Sequence, residues 1–147
     1  MQVNDAADPY DLARFLAPQE RDYQLAISEI RSGRKESYWM WYVFPQFEGL
    51  GLSSMSRHYA IKSTAEANAY LRHQILGPRL LESANAVLAL EGRTASSVFG
   101  SPDNMKLQSC ATLFAAVSPT GSVFEQILHK YFGGVSDPRT LDMLRLR

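Results

Sequence analysis

The sequence predicts an all-α protein, a compact single domain of about seven to nine short helices that form a bundle or a superhelix around a buried tryptophan-rich helix. Three observations carry this prediction. Apolar residues recur at helical spacing along most of the chain, and two Ser-x-x-Glu capping boxes mark helix starts. In addition, a proline follows a helix-capping or helix-stopping residue at four places, which are Pro9, Pro78, Pro102 and Pro138.

Length and composition limit the class of protein. A chain of 147 residues buries roughly two thirds of its unfolded surface, so we expect one domain over residues 1–147, of which residues 1–7 form a flexible tail. Apolar residues make up 46% and charged residues 20% of the chain, which excludes a disordered or low-complexity protein. Fifteen basic residues balance fifteen acidic ones, so the sequence lacks the basic excess of a non-specific nucleic-acid binder.

Cysteine usage and the lengths of the apolar runs predict a cytoplasmic protein. Cys110 is the single cysteine, which excludes an intramolecular disulfide and a cysteine-based zinc site. The first residues are polar and acidic rather than signal-like, and no apolar run approaches the ~20 residues that cross a bilayer, so we expect no membrane partner. The histidines are widely separated, so we expect no metal ion, and no motif indicates a cofactor.

The first helices are predicted from Asp8 onward. Asp8 can accept hydrogen bonds from free backbone N–H groups, and Pro9 suits the first position of a helix. Pro18 lacks an N–H and disfavours helical geometry at the residue before it, so we expect it to end or kink this helix. A second helix is predicted from there to Arg31, with Gly33 as its C-terminal stop.

The segment from Tyr38 to Phe44 is an unbroken run of large apolar and aromatic residues. Its aromatic and β-branched content is compatible with a strand, whereas an unbroken apolar run is equally typical of a buried helix. Because every other segment is predicted to be helical, a lone strand would leave its backbone N–H and C=O groups without partners. We therefore predict a fully buried helix that contains Trp39 and Trp41 and ends before Pro45.

Turn and capping residues divide the remainder of the chain into further helices. A glycine turn at 49–51 is followed by Ser53 and Ser54, whose hydroxyls can cap a helix, and Ser63 with Glu66 forms a capping box. The other predicted helices begin at Pro78, Thr94, Ser101, Ser122 and Asp137.

The exit of the tryptophan-rich segment is the first candidate site. An aromatic wall, a glycine turn and serine hydroxyls at a helix start suit an anionic or nucleotide-like ligand, with its base stacked on a tryptophan and its phosphate at the helix start. The alternative is that both tryptophans fill the core and that the serines only cap. The candidate ligand-binding residues of this segment are Trp39, Trp41, Gln46, Ser53, Ser54 and Tyr59.

Charged residues at two other helix starts are further candidates. Asp103 and Lys106 share a helix face, so the lysine can bind phosphate or act as an acid, or the two residues can form a surface ion pair. Arg79 lies in the first turn of its predicted helix, where a cation is unfavourable, so we expect its partner to be either an internal carboxylate or a ligand anion. An anionic small molecule is the ligand class that these cations indicate.

Motifs spread from Asp8 to Leu144 follow a known pattern. They are Asp8-Pro9-Tyr10-Asp11, Trp39-Met40-Trp41-Tyr42-Val43-Phe44-Pro45-Gln46, Gly49-Leu50-Gly51-Leu52-Ser53, Leu76-Gly77-Pro78-Arg79-Leu80, Asp103-Asn104-Met105-Lys106-Leu107 and Tyr131-Phe132-Gly133-Gly134. Together these motifs resemble the bacterial family catalogued as domain of unknown function 1810. Two positions depart from the family pattern: Tyr38 replaces a usual His, and Ser109-Cys110-Ala111-Thr112 replaces Ser-Ser-Met-Thr.

The resemblance implies a compact, almost entirely helical fold and no established activity. If the protein is active, a His at position 38 is not essential. Members of the family are often called calpastatin, but the inhibitory segments of calpastatin are disordered repeats, whereas this chain has the composition of a core-forming protein. We therefore reject that label.

Three functions follow as hypotheses. The first is a small cytoplasmic domain that binds a phosphorylated or nucleotide-like molecule beside the Trp-Met-Trp and Phe-Pro-Gln segments. The second is a helical module that binds a protein partner without catalysis. The third is an N-glycosidase-like enzyme on ADP-ribose-type metabolites, suggested by a likeness of Ser56-Arg57-His58-Tyr59 to helical ADP-ribose-processing domains, with Glu48 or Glu66 as its carboxylate.

Overall fold

The computed structural model describes residues 8–146. Within these residues the chain forms nine α-helices and no β-strand, which confirms the predicted all-α class and the predicted number of helices. The helices are α1 (Ala13–Ser32), α2 (Met40–Val43), α3 (Ser54–His58), α4 (Thr64–Arg72), α5 (Leu76–Ala89), α6 (Ala95–Phe99), α7 (Asp103–Ala116), α8 (Val123–Phe132) and α9 (Pro138–Leu146). The tail predicted at residues 1–7 lies outside the described residues. No helix in the described part is long and apolar enough to span a membrane.

Hydroxyl side chains begin four of the helices, as the sequence predicts. The residues whose hydroxyl accepts a hydrogen bond from the backbone N–H three positions ahead are Ser53, Ser63, Thr94 and Ser122. The two predicted capping boxes are only half formed. Glu66 accepts a hydrogen bond from the N–H of Lys62, and Glu125 accepts one from the N–H of Gly121. Each glutamate therefore binds the backbone N–H of the residue before the capping serine, not that of the capping serine itself.

The first helix begins later and runs longer than predicted. The Asp8 carboxylate accepts hydrogen bonds from the N–H groups of Leu12 (2.7 Å) and Ala13 (3.0 Å), so Asp8 caps a helix that starts at Ala13 while Pro9 precedes it. The prediction of a separate second helix after Pro18 is wrong, because α1 continues through Pro18 to Ser32. Pro18 removes a single backbone hydrogen bond near the start of the helix, and the buried face of the following turns offsets that loss.

The prediction of one fully buried tryptophan-rich helix over residues 38–44 is also wrong. Only the single turn α2 is helical, and Tyr38 is 82% exposed. Pro45 disfavours helical geometry at Phe44, whose φ of −127° and ψ of 74° lie outside the helical region. At the other end, Glu29 binds the N–H groups just ahead of α2. These two constraints leave room for one turn, although most of the segment is buried.

The longer helices pack around one hydrophobic core. Helix α1 packs against α5, α5 against α8, and α8 against α7, while α4 packs against α5, and α6 and α9 pack against α7. A row of aromatic rings crosses the core: the ring centres of Phe15 and Tyr70 are 5.1 Å apart, those of Tyr70 and Phe114 5.6 Å, and those of Phe114 and Phe124 5.6 Å. This packing brings the chain after α2 next to the N-terminal ends of α7 and α9.

Two backbone hydrogen bonds fix the chain between α2 and α3. The N–H of Ile61 donates to the carbonyl of Gln46 at 2.8 Å, and the N–H of Glu48 donates to the carbonyl of Ile61 at 2.8 Å. Phe47 and Ile61 are both buried at this parallel bridge. The bridge therefore holds Gln46 and the following glycine turn against the segment that leaves α3.

Candidate functional site

Glu29 of α1 anchors the start of the tryptophan-rich segment. Its buried carboxylate accepts hydrogen bonds from the N–H groups of Glu36 (2.9 Å) and Ser37 (3.0 Å), from the Ser37 hydroxyl (2.6 Å) and from the Nε1–H of Trp39 (2.8 Å). Burial opposes ionisation of this carboxyl, but the hydrogen bonds outweigh burial and lower the pKa of Glu29 below its ordinary value. The ionised carboxylate thus acts as a structural anchor.

Trp39 lies in the hydrophobic core. Its side chain has no exposed surface, and its ring packs against the rings of Phe44 and Phe99. A fully buried ring offers no face on which a ligand base could stack. Trp39 therefore has the core-filling role that the sequence left open as the alternative.

Trp41 and Lys106 come together beside a cluster of ion pairs. The ammonium of Lys106 lies 4.8 Å from the centre of the Trp41 ring, which is a cation–π contact. Asp103 pairs with Lys106 at 3.3 Å and with Lys35 at 2.9 Å. The Lys35 side chain is 7% exposed and that of Asp103 is 18% exposed, so this is not a solvated surface pair. The single carboxylate of Asp103 pairs with the ammonium groups of both Lys35 and Lys106, so this cluster has an excess of positive charge near Trp41.

A cavity of about 250 Å³ opens between the glycine turn, α7 and α9, and we name it the Lys106 cavity. Lys106 and Arg139 are the cations in its wall. Its uncharged polar lining residues are Gln46, Ser56 and Ser109, and its larger apolar ones are Leu50 and Met105. Two predicted candidates that are distant in sequence, Gln46 and Lys106, therefore meet in one cavity.

Asp137 is the acidic residue in the wall of the Lys106 cavity, and it caps α9. Its Oδ2 atom accepts hydrogen bonds from the N–H of Thr140 (3.0 Å) and from the hydroxyl of Ser109 (3.1 Å). Arg139 is exposed and donates to the carbonyl oxygen of Leu50 at 3.2 Å. Since Arg139 forms no ion pair within residues 8–146, its guanidinium is available to an anion in the cavity.

A second cavity of about 380 Å³ borders the same glycine turn, and we name it the Arg57 cavity. Its charged lining residues are Arg57, Lys62 and Glu48. The residues that line both cavities are Gln46, Gly51 and Ser56. The two cavities are therefore neighbours that share one wall.

The predicted serines lie beside these cavities rather than in their walls. Ser53 caps α3, and its hydroxyl is 2.9 Å from the hydroxyl of Ser56. Ser54 is exposed, and neither Ser53 nor Ser54 lines either cavity, whereas Ser56 lines both. The ring of Tyr59 packs against that of Tyr42, with centres 5.3 Å apart, and also lines neither cavity.

Arg79 pairs with an internal carboxylate, one of the two kinds of partner that the sequence indicated. Its Nη2 atom is 2.9 Å from Oε2 of Glu20, and its Nη1 atom is 3.4 Å from Oε1 of Gln19. The guanidinium also lies 5.0 Å from the centre of the Tyr23 ring. These contacts join α5 to α1, away from the Lys106 and Arg57 cavities.

Arg139 is the main site residue that the sequence reasoning missed. It follows Asp137 and Pro138 in the first turn of α9, where a cation is as unfavourably placed as Arg79 is in α5. Its place in a first helical turn is visible in the sequence, because Asp137 and Pro138 mark the start of α9. Glu29 was missed as well, and no sequence signal indicates it, because its partners come from a loop that no local pattern brings to α1.

Comparisons with known proteins agree with this fold. The family described as "Protein of unknown function (DUF1810)" matches residues 9–144. The crystal structure of the conserved hypothetical protein Rv1873 from Mycobacterium tuberculosis is similar, with a TM-score of 0.93 and 45% sequence identity over 95% of this chain and 100% of that chain. No curated protein matches the sequence. The match to the family over nearly the whole chain, on the same fold, shows that this protein belongs to the DUF1810 family of proteins of unknown function.

Proposed function

We propose that this protein binds a small phosphorylated, nucleotide-like molecule in the Lys106 cavity, beside the Phe-Pro-Gln segment. The observation that carries the proposal is that two cations, Lys106 and Arg139, line one small cavity. Proteins use arginine and lysine to hold phosphate groups, the arginine through paired N–H donors and the lysine as a point charge. A metabolite of this kind is consistent with the cytoplasmic location that the sequence predicts.

The ionic surroundings of the cavity favour an anion. Lys106 shares the carboxylate of Asp103 with Lys35, so that carboxylate only partly neutralises it. Arg139 donates to a backbone carbonyl and forms no ion pair within the described residues. Asp137 opposes a bound anion, but its Oδ2 atom accepts hydrogen bonds from the Ser109 hydroxyl of α7 and from the N–H of Thr140 at the start of α9. Two cations therefore outweigh one engaged carboxylate in the wall of the cavity.

The size and the walls of the cavity suit part of a nucleotide. Its volume of about 250 Å³ is below the ~300–1,000 Å³ typical of pockets for drug-sized ligands, so a phosphate and a sugar fit and a base extends beyond it. Met105, which is 59% exposed, and Leu50 offer the apolar surface. The ring of Trp41 is in cation–π contact with the ammonium of Lys106. We therefore assign Trp41 the role of positioning this ammonium rather than of stacking a base.

Isothermal titration calorimetry with AMP, ribose phosphate and adenosine tests the proposal. We expect the two phosphorylated probes to bind and adenosine to bind far more weakly. Lys106→Gln and Arg139→Gln should each weaken AMP binding about 10- to 150-fold, because each removes a charged hydrogen bond of about 1.5–3 kcal/mol. The matched control is Arg145→Gln, which removes an exposed arginine of the same helix that pairs with Asp142, and it should leave the affinity unchanged.

Two results would contradict this proposal. One is the absence of binding by any phosphorylated probe at millimolar concentration. The other is an equal loss of affinity in Arg145→Gln and Arg139→Gln, which would indicate non-specific attraction by surface charge. Circular dichroism of each variant shows whether the fold is retained, so a loss of binding is not confused with unfolding.

A thermal-shift screen of phosphorylated metabolites identifies the ligand itself. A ligand present at a hundred times its Kd raises the free energy of unfolding by about 2.7 kcal/mol. For a chain of this length, that corresponds to a rise in the melting temperature of roughly 5–11 °C. Compounds that raise the melting temperature of the wild type but not of Lys106→Gln bind in the proposed cavity.

Two exposed apolar side chains, one at each cavity, support a second candidate, a module that binds a protein partner. Leu52 is 81% exposed and Met105 is 59% exposed, and each lines one of the two cavities. Exposed apolar side chains that cluster are typical of contact surfaces. Failure of all phosphorylated probes, combined with capture of one host protein that Leu52→Asp and Met105→Asp both abolish, would favour this candidate.

The glycosidase hypothesis depends on a carboxylate that can reach a substrate. Glu66 is engaged on both oxygens, by Arg14 at 2.6 Å and by the N–H of Lys62 at 3.0 Å, so it serves the fold. Glu48, which lines the Arg57 cavity, is the other carboxylate that the sequence singled out. Hydrolysis of an ADP-ribose-type substrate by the wild type and its loss in a folded Glu48→Gln variant would support this function.

A further inference from the structure

We infer that the ligand carries two anionic groups, one held in the Lys106 cavity and the other in the Arg57 cavity. This inference rests on the proposed function and specifies its ligand class, a small molecule phosphorylated at two separate positions. Two observations support it: the two cavities share a wall, and each cavity contains its own pair of cations.

The shared wall allows one molecule to enter both cavities. It is formed by Gln46, Gly51 and Ser56. The backbone carbonyl of Gln46 is bonded to the N–H of Ile61 at 2.8 Å, which fixes this residue between the cavities. At position 51 a Cβ would lie 2.5 Å from the side chain of Ser56, so only glycine lets the turn pack directly on α3. A ligand that enters both cavities would therefore cross the shared wall beside a residue without a side chain.

The Arg57 cavity has its own cations. Arg57 and Lys62 are both exposed, and neither forms an ion pair within residues 8–146. Glu48 lies in the same wall, so the charged groups there are two cations and one carboxylate. Exposed cations that form no ion pair within the described residues and that line a cavity suit a ligand anion, because a charge-assisted hydrogen bond is stronger than a neutral one.

The two pairs of cations are carried by different parts of the fold. Lys106 and Arg139 lie on α7 and α9, whereas Arg57 lies on α3 and Lys62 follows it. The shared wall stands between the two pairs. A ligand with two anionic groups, for example on either side of a ribose, would meet both pairs of cations, whereas a single anionic group would meet one pair.

Calorimetry that compares AMP with adenosine 3′,5′-bisphosphate tests the inference. We expect the bisphosphate to bind the wild type about 10-fold or more tightly than AMP, since one further charged contact is formed. In the double variant Arg57→Gln/Lys62→Gln the bisphosphate should lose its advantage over AMP. Lys106→Gln should weaken the binding of both compounds.

A matched control removes the same amount of charge elsewhere. Arg34 and Arg145 are exposed residues outside both cavities, so Arg34→Gln/Arg145→Gln should retain the full advantage of the bisphosphate. Circular dichroism without ligand checks that both double variants are folded.

The outcomes separate this inference from the proposed function. If AMP binds through Lys106 but the bisphosphate binds no more tightly, the inference is overturned and the proposed function stands. The inference is also overturned if the advantage of the bisphosphate persists in Arg57→Gln/Lys62→Gln or disappears equally in the control. If neither compound binds, the proposed function fails and the inference fails with it.

Discussion

Replacement of Glu29 by alanine removes the anchor of the tryptophan-rich segment, and its cost can be estimated from the hydrogen bonds that Glu29 accepts. The Nε1–H of Trp39 would lose its partner in a fully buried environment, at a cost of about 1–3 kcal/mol. Three donors nearer the surface would also lose the carboxylate: the N–H groups of Glu36 and Ser37 and the hydroxyl of Ser37. Because water can replace the carboxylate there, each loss costs about 0.5–1 kcal/mol. We therefore expect Glu29→Ala to lower the free energy of unfolding by roughly 2.5–6 kcal/mol, a large part of the ~5–15 kcal/mol of a typical domain.

Urea denaturation followed by circular dichroism measures this loss. Glu29→Gln keeps one acceptor oxygen, which can replace the Oε1 atom that accepts three of the four hydrogen bonds, so it should lose less than half as much as Glu29→Ala. Glu91→Gln, at an exposed position, is the control and should stay within about 0.5 kcal/mol of the wild type. A loss below about 1 kcal/mol in Glu29→Ala would refute the reasoning, because the buried Trp39 donor alone accounts for that amount.

Three further predictions concern stability. Gly77→Ala should lower the melting temperature although alanine is the better helix former, because its Cβ would lie 2.1 Å from the carbonyl oxygen of Leu71; a melting temperature at or above that of the wild type would contradict this. Glu66→Gln should cost about 3–5 kcal/mol in urea denaturation, since it leaves the buried guanidinium of Arg14 without its carboxylate at 2.6 Å, and a loss below about 1 kcal/mol would argue against a structural ion pair. Acid should destabilise the wild type partly through Glu29: its folded pKa is lowered, so its contribution is complete above its ordinary pKa of 4.5 and is lost as the pH falls through the lowered value. Denaturation midpoints from about pH 6 to about pH 3 should fall less steeply in Glu29→Gln than in the wild type, and parallel curves would be inconsistent with a lowered pKa.

Features that depend on near neighbours in the sequence could be predicted well. Ser63 and Ser122 cap helices at the predicted positions, because a cap is a contact between a side chain and an N–H three residues ahead. The same reasoning fails at Pro18, where the local cost of one missing hydrogen bond is smaller than the gain from burying the rest of α1. It fails again at the tryptophan-rich segment, where Glu29 holds the chain from outside the segment.

The candidate site was predicted in part for the same reason. Gln46 and Lys106 could be singled out from the exit of an aromatic run and from a helix start, and both line the Lys106 cavity. Gln46 and Lys106 share this cavity with Arg139 because α7 and α9 pack against the chain after α2, which the sequence does not reveal. Trp39 and Trp41, two residues apart, also have opposite surroundings: one ring is wholly in the core and the other lies beneath an ammonium group.

The sequence by itself determined the helical class, the hydroxyl caps at Ser53, Ser63, Thr94 and Ser122, and the family, because helix starts, prolines and glycines act over a few residues of chain. Only the tertiary structure decided which charged groups are engaged and which are available. Arg79 forms an ion pair with Glu20 across the α1–α5 contact. Within the described residues, the guanidinium of Arg139 instead donates a hydrogen bond to a backbone carbonyl. The physical reason is that such pairings join groups far apart in sequence, and their energies depend on distance and burial that no local pattern contains.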